Sequence, residues 1–298
     1  MTAAPDHRAG FVALGGRSNV GKSTLLNRIV GQKVAIVTPR TQTTRRRILG
    51  IRNDPDAQLL MIDTPGLHES ARLLNRRMVE VARRALNEGE VVLGVIAAGP
   101  SLAAEDRATL RELNALKAPM IIVINKVDLV PRARLLPLIE ELHRDFPDCE
   151  IVPVSALTGE NLDDLLATIK RMLPVSPSLQ PEEEYTDQTE RALAEEVVRE
   201  KIFLGMRQEI PFSTAVRVEK FVDDPERALK RIAVLIIVER DSHKGMLIGA
   251  GGRNLKRIGT AARLELEKIL GCHVFLEMLV KVEPGWTNDP RKVAEYAS

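Results

Sequence analysis

With 298 residues the chain is long enough for two domains of ordinary size, each able to bury its own core. Its 43 Lys and Arg stand against 41 Asp and Glu, a formal net charge of +2, so affinity for nucleic acid or an anionic membrane has to come from local clusters. Cys149 and Cys272 are far apart without CxxC spacing, which argues against a disulfide framework or a zinc site and suits free thiols in a reducing cytoplasm. The start, MTAAPDHRAG, has no apolar signal core, and no apolar run reaches the roughly 18 residues of a membrane span. A soluble, cytoplasmic protein is expected, with peripheral contact at the inner face of the cell membrane left open.

Up to about Leu173 short β-like runs alternate with helical patterns, the rhythm of an α/β domain with a mostly parallel sheet covered by helices on both faces. The runs FVALG (11–15), LLMID (59–63), VVLGVIAA (91–98), MIIVIN (120–125) and IVPVS (151–155) are near-continuously apolar, as buried parallel strands are. Ligands of such sheets sit beyond the carboxyl ends of the strands, and the motifs fall there. Residues 174–187, with three prolines and an acidic triplet, read as an interdomain linker between a unit at 1–173 and a second at 188–298. The second unit reads α-β-β-α-α-β: Leu193, Val197 and Leu204 at helical spacing, β-like runs at 214–221 and 232–239, a glycine cluster at 247–259 opening a helix to about Leu270, and a strand from His273.

The stretch GRSNVGKST (16–24), between a strand and a helix, satisfies GxxxxGK[ST]. Gly16, Arg17, Ser18, Asn19, Val20, Gly21, Lys22, Ser23 and Thr24 are expected to wrap nucleotide phosphates. Backbone N–H groups and a helix N-terminus face the oxygens, Lys22 reaches the β- and γ-phosphates and Ser23 holds Mg²⁺. The strand LLMID runs into Asp63, Thr64, Pro65 and Gly66, an acid for the metal and an N–H for the γ-phosphate. In the polar, basic stretch TPRTQTTRRR (38–47), Thr44 or else Thr43 can join the metal and order the loop while the triphosphate is intact; a solvated basic loop is the plain alternative.

NKVD supplies Asn125, Lys126 and Asp128 after a buried strand. An aspartate there accepts from guanine N1–H and N2–H₂, and adenine would leave it unpaired. Asn125 is expected to brace the loops and touch N7, and the Lys126 stem to cover the base. In Ser155, Ala156 and Leu157, the Ala156 N–H is expected to meet guanine O6.

The boxes GRSNVGKST, QTTRRR, DTPGLH, NKVD and SAL, followed by REKIFLGMRQEIPFS, LIGAGGRNLKRIG and VKVEPGW, resemble the Era family of bacterial GTPases over nearly the whole chain. The resemblance implies a P-loop GTPase domain followed by an α+β KH domain of the bacterial type (type II), using GTP, GDP and Mg²⁺. It further implies binding of 16S ribosomal RNA near its 3′ end during assembly of the small (30S) ribosomal subunit, by a monomer. Lys22, Thr44 and Gly66 then carry hydrolysis. Leu67 stands where Ras-like enzymes place the water-orienting glutamine, as it does in Era's relatives, and the neighbouring His68 is not named as the base. Asn19 matches a position that in related GTPases helps hold a potassium ion; tolerance of the turn's backbone is the alternative.

GAGG (249–252) matches the GxxG loop with which KH domains clamp a nucleic-acid backbone. Lys244, Ile248, Gly249, Ala250, Gly251, Gly252, Arg253, Lys256 and Arg257 are the expected RNA contacts, with Arg263 extending the basic face and Leu255 and Ile258 either lining a groove or packing in the core. Ala250 stands where the family usually carries a lysine. Two other functions stay open: a passive RNA-binding assembly protein with a structural nucleotide pocket, and a membrane-associated cell-cycle GTPase.

Overall fold

A computed structural model of the chain describes residues 7–40, 43–66, 73–206 and 210–296, with backbone only at 73–77. The described residues fall into two compact units: one runs to Ala35, resumes at Thr44 and closes at Asp187, and the other begins at Gln188 and also takes in Ile36–Thr43 and the start of a helix at Leu73.

The first unit is built from β1 (Arg8–Gly15), α1 (Lys22–Val30), β2 (Ile48–Asp54), β3 (Ala57–Asp63), α2 (Leu73–Asn87), β4 (Val91–Ala97), α3 (Ala104–Asn114), β5 (Met120–Asn125), α4 (Leu135–Asp145), β6 (Glu150–Pro153) and α5 (Leu162–Met172). Its sheet runs β2-β3-β1-β4-β5-β6, parallel throughout except that β2 pairs antiparallel with β3. Both faces of the sheet are covered, which is why the strands read as unbroken apolar runs. Successive residues of β1 separate the faces: Val12 and Leu14 join Leu25, Leu26 and Ile29 of α1 and Leu165 and Ile169 of α5, whereas Ala13 joins Leu110 and Leu113 of α3 and Leu138 and Leu142 of α4. Each such leucine or isoleucine, fully withdrawn from water, contributes about 1.5–3 kcal/mol.

The sequence reading missed β2, an edge strand that ends in Arg52, Asn53 and Asp54 and so lacks the apolar run of a two-sided strand. It also made the last strand too long: Val154 and Ser155 leave β6 to form a loop. Residues 174–187, read as an interdomain linker, lie along the first unit. The side chain of Gln58, 1% exposed, accepts from the Leu179 and Gln180 N–H groups (2.6 and 2.9 Å) and donates to the Gln180 carbonyl at 2.8 Å. The Ile51 N–H donates to the Tyr185 carbonyl, and the Thr186 hydroxyl to the Leu49 carbonyl.

The second unit follows the order α6 (Glu190–Gly205), β7 (Thr214–Asp224), β8 (Leu229–Val238), α7 (Asp241–Ile248), α8 (Arg253–Leu270), β9 (His273–Val282) and α9 (Pro290–Tyr296). Its sheet β7-β8-β9 has β7 antiparallel and β9 parallel to β8. Leu193 and Val197 are buried as their spacing implies, but Leu204 is 52% exposed and Ile202 and Phe203 take the inward positions at the helix end. α6 also buries charge: Arg199 donates to both oxygens of Glu196 and stacks on Phe203. α9 docks through Val293, 1% exposed, and through the Tyr296 ring, 5.8 Å from fully buried Trp286.

Candidate functional site

The loop after β1 is drawn tightly over the sheet ends. A Cβ at Gly16 would run into the Val95 carbonyl and one at Gly21 into the Asn125 amide, and both glycines have positive φ, so the turn closes only without side chains there. α1 starts at Lys22 with no acid in its first turn and no side-chain cap, leaving its N-terminal N–H groups to an anion. Lys22, 6% exposed, donates from Nζ to the carbonyls of Gly16 (2.9 Å) and Arg17 (3.0 Å). Burial pushes its pKa down, against the opposing pull of Asp63.

Ser23, Thr44 and Asp63 converge. The Ser23 hydroxyl donates to Asp63 Oδ2 at 2.6 Å and the Thr44 hydroxyl to the same oxygen at 3.1 Å, with the two hydroxyls 3.1 Å apart. Asp63 is fully buried, its pKa is pushed up by that burial, and its Oδ1 has no hydrogen-bond partner among the described residues. Two hydroxyls and an orphaned carboxylate oxygen are hard oxygen donors of the kind that fits Mg²⁺ beside nucleotide phosphates. Thr64 is locked by its hydroxyl on the Leu14 carbonyl (2.8 Å), and Gly66 lies so close to Ser18 that a Cβ would strike it. Leu67 and His68 lie outside the described residues.

Thr43, the alternative to Thr44, turns elsewhere: its hydroxyl meets Thr38 (2.6 Å) and the Arg40 carbonyl (2.8 Å). The stretch Ile36–Thr43 groups with the second unit, where the Val37 N–H donates to Glu200 at 3.0 Å and Arg40 donates to the Met206 carbonyl.

At the next strand ends, Asn125 does the bracing. Its amide donates to the Val20 carbonyl (2.8 Å) and its Oδ1 accepts from the Ala156 N–H (3.0 Å). The N–H that sequence reasoning assigned to guanine O6 is thus engaged by Asn125, because Asn125 ends β5 and Ala156 lies in the loop that follows the adjacent parallel β6. Asp128 is exposed and oriented by the Ser155 hydroxyl at 2.5 Å, and Lys126 reaches across to the Asn19 carbonyl at 2.5 Å. Leu157 is exposed. Sequence reasoning missed two supports on α1. Arg28 donates to the carbonyls of Ala156 (3.1 Å) and Leu157, and Asn27 holds the Val34 and Ala35 N–H groups (2.9 and 2.8 Å). Both sit inside an otherwise regular helix, where nothing local marks them.

In the second unit, Gly249, Ala250, Gly251 and Gly252 connect α7 to α8. Gly251 and Gly252 have positive φ and open space where a side chain would be, so a backbone can approach them closely. Lys244 and Lys256 have no ion-pair partner among the described residues, Arg253 rests on the Ala250 carbonyl, and Arg257 donates to the Gly205 carbonyl. Arg263 is withdrawn from this face by a two-bond contact with Glu267 (2.8 Å each). Ile258, 2% exposed, belongs to the core, with Ile248 and Leu255 packed at its margin.

A family model described as 50S ribosome-binding GTPase matches residues 11–126, and a KH domain model matches residues 209–287. The chain is 44% identical over 289 residues to GTPase Era of Syntrophus aciditrophicus, covering 97% of this chain and 94% of that protein. Against GTPase Era of Geobacter metallireducens the identity is 45%, covering 97% of each. Two solved structures share 42% identity and cover 97% of this chain and 98% of theirs: a variant of Aquifex aeolicus Era bound to GDP and AlF₄⁻ (TM-score 0.94), and Era in complex with MgGDPNP and nucleotides 1506–1542 of 16S ribosomal RNA (TM-score 0.92). A P-loop domain with a converged acid and hydroxyl pair, a KH domain and near full-length identity above two fifths agree: the chain belongs to the Era family of GTPases.

Proposed function

We propose that this GTPase is a nucleotide-driven switch whose KH unit binds 16S ribosomal RNA near its 3′ end and that acts in assembly of the small ribosomal subunit. The observation that carries the switch is Thr44, whose hydroxyl reaches Asp63 while the residues just before it, Ile36–Thr43, group with the KH unit. A group that holds Thr44 therefore acts on a chain segment one peptide bond away from the second unit. The solved relative bound to a 16S fragment supports the choice of RNA.

In this reading Ser23, Thr44 and Asp63 hold Mg²⁺, which when bound would neutralise charge on the β- and γ-phosphate oxygens. The chain's own groups supply the rest. Lys22 and the N–H groups of the loop and of α1 stabilise developing phosphate charge. Gly66 offers its N–H next to Ser18, and Asp128 reads the guanine edge. A potassium ion beside Asn19 is the finer part of the reading. The left-handed backbone of Asn19 (φ 65°) already explains an asparagine there, so equal turnover in potassium and sodium removes the ion from the account.

The test is GTP turnover with magnesium present and then chelated, together with RNA retention in the presence of GDP or a non-hydrolysable GTP analogue. Magnesium-dependent turnover and a nucleotide-dependent RNA affinity are expected. Turnover with nucleotide-independent RNA affinity would reduce the protein to two activities in parallel, and absent turnover would favour the passive assembly factor. Among the described residues no helix is long and apolar enough to cross a membrane. Peripheral attachment through Lys244, Arg253 and Lys256 has its own test in liposome sedimentation at physiological salt.

A further inference from the structure

The phosphate loop carries a second cation besides Lys22, and its guanidinium lies against acids of α3. Arg17 Nη1 lies 3.6 Å from Asp106 Oδ2 and 3.6 Å from Glu105 Oε2, both in the first turn of α3. Asp106 is 9% exposed, and its other oxygen, Oδ1, is buried without a hydrogen-bond partner among the described residues. A distance of 3.6 Å is an ion pair but not a hydrogen bond, so a small approach of the guanidinium would engage the pair fully. α3 also walls this end of the loop sterically, since a side chain at Gly15 would strike Leu113. The Arg17 carbonyl is one of the two acceptors that fix the Lys22 ammonium.

We propose that Asp106, assisted by Glu105, is a positioning residue for GTP hydrolysis: by holding the Arg17 guanidinium on α3 it fixes the Arg17 carbonyl, and through it the place of the Lys22 ammonium. Arg17, assigned from sequence as a nucleotide contact, then serves the phosphates through its main chain, and its side chain ties the loop to α3. Burying a carboxylate so near the surface costs stability unless it is paired. Loop geometry at the phosphates is what that cost maintains.

The proposal rests on Lys22 being the β- and γ-phosphate ligand, which Lys22→Met tests separately. The experiment measures, in the full chain, affinity for GDP and for a non-hydrolysable GTP analogue, single-turnover hydrolysis and the melting temperature. The variants are Asp106→Asn, Asp106→Glu, Arg17→Met and the double variant Arg17→Met/Asp106→Asn. The expected result is about tenfold weaker binding of the GTP analogue in each single neutral variant, a smaller loss for GDP, no further loss in the double variant, and recovery in Asp106→Glu. Additive losses would overturn the proposal. So would equal weakening of GDP and GTP analogue together with a lowered melting temperature, which marks a merely structural pair. Loss of GTP binding in Lys22→Met with unchanged Asp106→Asn sinks this proposal and spares the site; intact binding in Lys22→Met sinks the reading of the site itself.

Discussion

Asp63, the proposed metal ligand, shows how one residue can be costly to the fold. It is fully buried, its Oδ1 is unpartnered among the described residues, and burial raises its pKa. A carboxyl that holds its proton more tightly when folded makes the native state less stable above its folded pKa. That cost fades as pH falls through the folded pKa. Nucleotide-free Asp63→Asn is therefore expected to melt above the unmodified protein at pH 7–8, by about 2–4 °C for a gain of about 1 kcal/mol, with the gap closing on acidification and turnover lost. Scanning calorimetry against pH, beside a turnover assay, checks it; a lower melting temperature at every pH would contradict it. Asp128, the proposed guanine reader, is the opposite kind of residue, exposed and held only by the Ser155 hydroxyl among the described hydrogen bonds. Asp128→Asn replaces an acceptor pair by an amide and is expected to weaken GTP binding about 100-fold without lowering the melting temperature. The types and spacing of these residues were legible in the sequence because phosphate, metal and guanine chemistry each demand particular atoms. The supports, Arg28, Asn27 and Asp106, were not, because each acts across at least 7 residues of chain on a loop that only the fold brings near.

At the scale of elements, the parallel strands were legible from apolarity alone, since both sheet faces are covered. β2 was hidden by its polar end, and the strap at 174–187 by a composition that a free linker shares; Gln58, buried and using both ends of its amide, is what distinguishes them. The charged pair inside α6 was likewise invisible, because Glu196 and Arg199 are ordinary surface residues by type. Arg199→Ala would strand a buried Glu196 and is expected to cost about 3–5 kcal/mol in urea unfolding of the full chain, with a value below about 1 kcal/mol contradicting it. α9 depends on Glu283, which binds Lys292 and Lys281 and accepts from the Tyr296 hydroxyl. Those partners, Lys292 first, lower its pKa to about 2 from an ordinary 4.5. A depressed carboxylate contributes stability that is complete above about pH 4.5 and lost as pH falls toward about 2. Amide exchange over 290–296 is expected to quicken across that window, and Glu283→Gln to remove the dependence; exchange insensitive to both would show that Trp286 and Val293 hold the helix alone.

For the whole molecule, the division of labour was legible because the two units carry unrelated signals, a phosphate loop in one and a glycine clamp with a basic face in the other. The sequence did not reveal that the units share the chain unevenly. Ile36–Thr43 groups with the KH unit although it lies between α1 and β2 of the GTPase unit, because Val37 and Arg40 find their partners on and just after α6. In the proposed switch, a nucleotide-dependent change at Thr44 acts on that segment, which directly precedes it in the chain. The most direct test is GTP turnover by the pure protein with and without an RNA copy of the 16S 3′ end, and with a scrambled copy of equal length. The account predicts stimulation by the authentic sequence alone, diminished when the Val37 N–H loses its side-chain acceptor in Glu200→Met. Tight binding of the authentic RNA with unchanged turnover would contradict it.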